Sequence, residues 1–379
     1  LDKKGKEHMK IMQLRGEFTD NGPGSQTLTI AEELRKRGHD VIFCASGGKL
    51  TEKIKSKDFN YYLVPELAYN KRNLFNIFKA IGSLKNIIKS ENIEIVHCHN
   101  AATSVLSWIA SKIAGVKIKI FQSVRGVEVR STFFWRNWIY KLNNYNALFA
   151  VCEKAKKTLI SFGVSPRKIV VTYNGTDLNR FDIEKKEIYR KKIRRELEIP
   201  EMATVIGIIG KQDGYKGHSD LIRVFSKLFN KYPQLYIVLV GEGKELESNK
   251  KLSNNFGIQS RTIFTGLRLD AEKLHASFDI FTLLSKKGYE MFPNAIVEAM
   301  TYGNCFVATN TQGVPETAQN NEGVICDCGA LEQYEAAFID LLDNPERREQ
   351  MGENGIKSVL ERFNIKEVVN KIESAYRSF

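Results

Sequence analysis

Residues 210–222 read GKQDGYKGHSDLI, and residues 289–300 read YEMFPNAIVEAM. The first stretch sets Lys211 and Lys216 among Gly210, Gly214 and Gly217. Glycines let backbone N–H groups approach a phosphate, a helix N-terminus favours negative charge, and two ammonium groups neutralise a diphosphate. The pattern is neither a P-loop nor the dinucleotide fingerprint. Taken alone, it also fits a surface loop with solvated lysines. The second stretch places Glu290 and Glu298 either side of an apolar run. Pro293 suits the first turn of a helix, where its missing N–H would be unpaired anyway. That helix start is expected to present N–H groups beside Glu290. Glu298 falls two turns on, where a nucleoside could lie along the helix. An isolated pair of glutamates would be read as one solvated loop residue and one on a solvated helix face, so the rest of the chain has to decide.

Other signals are weaker alone. VGEGKEL (240–246) is a glycine turn after a strand, with Gly241 at its start. DNGPGSQ (20–26) is expected to be a glycine-rich loop after the first strand, where Gly22 and Gly24 allow close approach of a phosphate or an acceptor; a simple turn explains it equally. His97 and His99 end a strand two residues apart and so share a face. No third metal ligand is visible beside them. One is expected to be packed and the other to face the cleft. STFFWRNWIYKL (131–142) interleaves Phe133, Phe134, Trp135, Trp138, Ile139 and Tyr140 with Arg136 and Lys141. It fits a membrane interface, or a core helix with a basic rim.

Along the elements that must carry these residues, short β-branched runs alternate with helix-period runs throughout. Residues 10–14, 41–45, 61–65, 93–99, 117–123, 147–151 and 168–173 read as strands in the first half. Residues 204–210, 235–241, 262–266, 279–285, 305–309 and 323–327 do so in the second. They are apolar on both faces, as parallel strands covered by helices are. The expected fold class is α/β. Residues 179–200, highly charged and ending in a proline, read as a connector between two α/β halves. Open sheets of this kind bind ligands at the carboxyl ends of their strands, so two halves facing a cleft are expected.

Bulk properties narrow the function. The 379 residues suffice for two domains, and 27% charged with 42% hydrophobic residues is a globular composition. No run of about 18 apolar residues exists to span a membrane. The opening LDKKGKEHMKIMQL lacks the apolar core of a signal peptide, and residues 1–8 are left out of the functional reading. Six scattered cysteines form no disulfide framework and fit a reducing cytosol; Cys326 and Cys328 have no partner cluster for a metal. Residues 1–180 carry 30 Lys+Arg against 15 Asp+Glu, whereas the remainder carries 27 against 29. One half is therefore expected to meet an anionic surface.

Taken together, the motifs resemble the retaining GT-B glycosyltransferases of family 4, the glycosyl transferases group 1. The resemblance rests on GK…YKGHSDLI, VGEG, FTG, FTLLS…GYEMFPNAIVEAMTYGNCFVAT and GVPE in order. NGPGSQTLTIAEELRKRGHDV, IEIVHCHNA and VTYNGTDLNRF precede them, and the likeness runs from Lys10 to Phe379. It implies GT-B architecture, two Rossmann-like domains facing a cleft. Residues 1–180 would be the acceptor-side domain, with 365–379 packing back on it, and 181–364 the nucleotide-sugar domain. The donor, a UDP-sugar by preference, would meet Lys211, Lys216, Glu290, Met291, Phe292, Pro293, Asn294, Ala295, Glu298, Gly24 and Gly241. Lys216 would bind the diphosphate, Glu290 the sugar hydroxyls and Glu298 the ribose. Lys211 stands where the family usually has arginine. Lysine keeps the charge but loses the bidentate fork.

His99, Arg125 and Gly22 would line the acceptor side, and Glu290, Lys216 and Arg125 would be the catalytic set. In SVRGVEV (123–129) Arg125 stands where the family has a histidine. A permanent cation suits a phosphate or acceptor-anion clamp, not a general base; a surface pair with Glu128 is the other reading. No metal and no cofactor are expected. The expected partners are the nucleotide-sugar, a lipid-linked or oligosaccharide acceptor for surface glycan assembly, and an anionic membrane met by the N-terminal half. No nucleic acid is expected, and the place is cytoplasmic, peripheral on the inner face of the membrane. The alternatives are an epimerase or phosphorylase of the same architecture and, on pI 9.3 alone, a nucleic-acid-binding protein.

Overall fold

The computed structural model describes residues 8–19, 22–71, 73–126, 139–142 and 144–379. They divide into two compact units. Unit 1 runs to Gly175 and takes in Ile365–Phe379; unit 2 is Thr176–Asn364. The boundary expected after residue 180 therefore falls five residues earlier.

Unit 1 contains β1 (Lys10–Leu14), β2 (Asp40–Ala45), β3 (Tyr61–Leu63), β4 (Ile95–Cys98), β5 (Lys119–Val124), β6 (Ala147–Ala150) and β7 (Ile169–Val171). All pair in parallel, in the order β3-β2-β1-β4-β5-β6-β7. β2, β4 and β6 are buried nearly end to end because helices cover both faces, which is why their sequences are apolar without alternation. Ile11, Phe43, Ile95, Phe121 and Phe149 form one core with helix Ile365–Ser378, which buries Val368, Val369, Ile372 and Tyr376. Polar contacts fix that helix too. Glu373 takes Arg37 at 2.9 Å and Arg377 at 2.6 Å. Burial pushes its carboxyl up, but these cations and His39 outweigh burial and bring it to about 2.

Unit 2 contains β8 (Thr204–Ile209), β9 (Leu235–Val240), β10 (Thr262–Gly266), β11 (Ile280–Leu283), β12 (Cys305–Thr309) and β13 (Gly323–Cys326). They are parallel in the order β10-β9-β8-β11-β12-β13. Ile206, Ile208, Ile237, Leu239 and Val307 pack under Leu221, Phe225 and Phe338. The strand order reverses between β1 and β4 in one sheet and between β8 and β11 in the other. At such a reversal the flanking connections leave towards opposite faces, and ligands bind at the strands' carboxyl ends there. Two Rossmann-like units in one chain agree with the GT-B architecture that the resemblance implies.

Two expectations need correction. The charged segment 179–200 is not a free connector. It holds helix Lys186–Glu196, part of unit 2. Arg190 and Arg194, one turn apart, bind the two oxygens of Asp279 at 2.7 and 2.8 Å, and Arg194 is buried against Ser277 and Ala203 carbonyls. Charge spent on internal pairing looks the same in sequence as solvated charge. Likewise, Gly22 and Gly24 are not in a loop: helix Gly22–Lys36 begins at Gly22. A Cβ on Gly24 would lie 2.1 Å from the Thr19 carbonyl oxygen, so this glycine lets the chain pack against its own helix. The aromatic-basic stretch lies outside the described residues for 131–138.

Candidate active site

In unit 2 the loops after β8, β9 and β11 meet at the carboxyl end of the sheet. Gln212, fully buried, ties the first two: its Nε2 donates to the Gly241 carbonyl at 2.9 Å, and Asn249 Nδ2 donates to its Oε1 at 2.8 Å. Gly241 serves that junction. At φ +124°, a Cβ there would stand 2.1 Å from the Gly210 carbonyl oxygen. The neighbour that comes close is therefore the β8 loop. The loop after β11 is held by Thr311, which accepts from Gly288 N at 3.0 Å and donates to the Tyr289 carbonyl at 3.0 Å. Gly313 N adds a bond to the Met291 carbonyl at 3.2 Å.

These supports bring Lys216 to Glu290, whose Oε2 binds the Lys216 ammonium. The pair is mostly covered, with side chains 18% and 13% exposed. Tyr215 and Tyr289, each just ahead of its charged neighbour, stack at 4.9 Å beside it. Glu290 has φ +68°, a left-handed conformation rare for a residue with a side chain. Such strain persists where surrounding structure imposes it, which happens most at functional sites. Helix Asn294–Thr301 follows. Pro293 caps it instead of entering its first turn, and Met291, Phe292, Asn294 and Ala295 lie at its start. Glu298 sits on its partly exposed side, its Oε2 3.9 Å from Nε2 of the buried His275. Lys211 is exposed.

His218 opens helix His218–Leu228, behind Lys216. Burial, then the Lys216 charge, lowers its ring to about 4, and its Nε2 has no hydrogen-bond partner. Sequence reading passed over Gln212, Tyr215, Tyr289, His218 and Thr311. The repeated Gly-Tyr before each charged residue of the pair was the available signal.

In unit 1, Arg15 follows β1, His99 follows β4 and Arg125 follows β5, on strands around the order reversal. His97 is the packed histidine: Nδ1 meets the Tyr376 hydroxyl at 2.6 Å and Nε2 the Ser123 hydroxyl at 2.8 Å. Burial, then the Arg125 charge, lowers it to about 3. His99 is partly exposed, stacks on His97 at 4.6 Å, and places Nε2 2.7 Å from Gln13 Oε1. Arg125 Nη1 donates to Asn174 Oδ1. Burial and the neighbouring Arg15 bring the Arg125 guanidinium down to about 9. Its expected partner, Glu128, lies outside the described residues. Among the described residues no group of three or more His, Cys, Asp or Glu could hold a metal ion. No helix among them is long and apolar enough to cross a membrane.

Comparison with known proteins adds a family frame. The family described as glycosyl transferases group 1 matches residues 189–358, and glycosyltransferase family 4 matches residues 20–180. The N-acetyl-alpha-D-glucosaminyl L-malate synthase of Bacillus anthracis is 26% identical over 94% of this chain and 93% of its own. The UDP-Gal:alpha-D-GlcNAc-diphosphoundecaprenol alpha-1,3-galactosyltransferase of Escherichia coli is 25% identical over 97% of this chain and 95% of its own. Anabaena HepE, solved in complex with UDP, superposes with a TM-score of 0.82 at 19% identity, covering 98% of this chain and 100% of its own.

Proposed function

The chain belongs to glycosyltransferase family 4, and from that premise we propose that it moves a sugar from a UDP-sugar to a saccharide or lipid-linked acceptor, with retention, in cell-surface glycan assembly. The observation that carries the donor half is the Lys216–Glu290 pair, set at two strand ends beside a helix start. Lys216, with Lys211 nearby, faces the diphosphate. Glu290 accepts from sugar hydroxyls, Glu298 accepts from the ribose, and the backbone from Met291 to Ala295 meets the distal phosphate. Gly24 and Gly241 act through packing, by making room for backbone. UDP in the HepE complex and the UDP-sugar in the galactosyltransferase's name support this nucleotide.

The chemistry needs charge stabilisation more than a strong base. As the bond from the anomeric carbon to the phosphate oxygen breaks, negative charge builds on the leaving UDP and positive charge on the sugar ring. Fixed ammonium and helix-start dipoles stabilise the first. The acceptor oxygen enters on the face the UDP leaves, and its proton passes to the departing phosphate oxygen. No carboxylate is assigned to the opposite ring face, where a covalent intermediate would need one. The lysines supply positive charge at the diphosphate, so no metal is invoked. Unit 1 takes the acceptor, with His99 and Arg125 at its strand ends and Gly22 at the start of the first helix.

A membrane-bound acceptor would bring the enzyme to the inner face of a membrane as a peripheral protein. Support comes from helix Leu74–Ser90, where Leu74, Phe75 and Phe78 are 75%, 66% and 70% exposed beside Lys71 and Lys79. Apolar side chains with flanking lysines suit an anionic bilayer. No nucleic-acid partner is proposed. The deciding experiment incubates the protein with labelled UDP-, GDP- and ADP-sugars and a membrane extract, then determines the anomeric configuration of the product by NMR. Transfer from a UDP-sugar with configuration kept is expected. An inverted product would end the retaining mechanism, and transfer from GDP- or ADP-sugars alone would end the uridine assignment.

A further inference from the structure

At the carboxyl end of the seven-stranded sheet, two partly buried arginines hold guanidinium nitrogens that are out of contact with water and unused as donors. Arg15 Nε and Nη1 and Arg125 Nε are buried and have no hydrogen-bond partner. Among the described residues neither arginine forms an ion pair. Glu17 and Tyr69 lie near enough to Arg15 to favour its charge, but neither engages those nitrogens. Gln13 Nε2, on β1 two residues before Arg15, is a further buried donor without a hydrogen-bond partner. Next to it His99 gives its Nε2 to Gln13 Oε1. Burial first, then the neighbouring His97 ring and the charges of Arg125 and Arg15, hold the ring well below its ordinary range, so it stays neutral. Its Nδ1 therefore keeps a lone pair, which also has no partner.

Buried polar atoms are almost always paired, and leaving them unpaired costs stability. Here the orphans are four N–H donors on three side chains, two of them cationic, and one acceptor, His99 Nδ1. What complements the donors is an oxyanion, and the guanidinium fork fits carboxylate and phosphate alike. The cluster flanks the reversal between β1 and β4, where sheets of this type take ligands. We infer that Arg15 and Arg125 form an oxyanion subsite for the acid group, carboxylate or phosphate, of an acidic acceptor whose hydroxyl donates to His99 Nδ1. This rests on the glycosyltransferase reading and narrows it to acceptors that carry an acid close to the glycosylated hydroxyl.

The test uses the whole chain with UDP present at saturation, so that the subsites of unit 2 are filled. Inorganic phosphate, succinate and, as a neutral control, glycerol are titrated by calorimetry and thermal shift. Phosphate or succinate is expected to bind and glycerol not, and whichever anion binds names the acid. Arg15→Gln and Arg125→Gln should each weaken that anion by about tenfold or more. Arg15→Lys should recover part of the loss, because it keeps the charge without the fork. Without anion, both glutamine variants should melt at or above the wild-type temperature, since they no longer bury an unpaired cation; a structural role predicts lower melting. The inference is overturned if neither anion binds, if binding ignores both substitutions, or if the substitutions weaken UDP instead, which would give the arginines to the donor. Failure of UDP to bind wild type would strike the glycosyltransferase reading separately, and the anion titration then runs without it.

Discussion

Replacing Glu290 by glutamine separates two jobs that the wild-type residue combines. In the structure its carboxylate holds the Lys216 ammonium, and both side chains are mostly covered. A diphosphate arriving at Lys216 must share that ammonium with Glu290, and it meets a like charge. If Glu290 exists to bind sugar hydroxyls, Glu290→Gln should leave UDP affinity unchanged or improve it. The same substitution should weaken a UDP-sugar relative to UDP. A hydrogen bond to a charged group contributes about 1.5–3 kcal/mol, so that ratio should fall by about tenfold to 150-fold. Lys216→Ala should behave differently and weaken UDP and the UDP-sugar together by a similar factor. Calorimetric titration of UDP, UDP-glucose, UDP-galactose and UDP-N-acetylglucosamine into wild type and both variants gives every number required. Equal weakening of UDP and UDP-sugar by Glu290→Gln would refute the reasoning. It would mean that the carboxylate works by positioning Lys216, with no contact to the sugar.

Gly241→Ala should destabilise unit 2 by about 2–3 kcal/mol, since the new Cβ meets the Gly210 carbonyl at a left-handed φ; urea melts measure it. Stability should fall from pH 7 to pH 5. His97 and His218 titrate at about 3 and about 4 in the fold, below the ordinary 6.5, so the unfolded chain takes up protons first; each should cost about 2 kcal/mol at pH 5, and equal urea midpoints at the two pH values would contradict this. Sugar transfer should survive EDTA, and loss restored by Mg²⁺ or Mn²⁺ would return a metal to the site. Leu74→Ser with Phe75→Ser and Phe78→Ser should reduce co-sedimentation with phosphatidylglycerol vesicles while leaving circular dichroism unchanged, because all three side chains are already in water.

What could be read from the chain and what could not divide along a physical line. Strand positions were legible because a strand buried on both faces needs apolar residues throughout, and Ile11, Phe43 or Val307 announce that wherever they occur. Lys216 and Glu290 were legible as a motif, though nothing in one sequence shows that they touch or that Glu290 has a positive φ. Apart from the glycines of the first helix, the failures are polar. Arg190 and Arg194 looked like linker charges, yet Asp279 pairs with both. Arg15, in QLRGE, belongs to no motif that marks it. Hydrophobic burial leaves a periodic trace because many residues must agree to build a core. A buried charge leaves none, because one residue meets one partner, and that partner stands anywhere in the chain or is no part of the chain. The second case is the informative one. Where a polar residue is buried and the protein supplies its partner, as for Arg194, the structure explains the burial. Where the protein supplies none, as for Arg15 Nε and Nη1, the burial remains unexplained until something else binds. Arg15, His99 and Arg125 gather at the carboxyl ends of β1, β4 and β5 around the reversal in strand order, where sheets of this type take ligands. A search of the sequence for ligands of the fold therefore finds the motif residues, and a search of the structure for unpaired buried donors finds those that no motif marks.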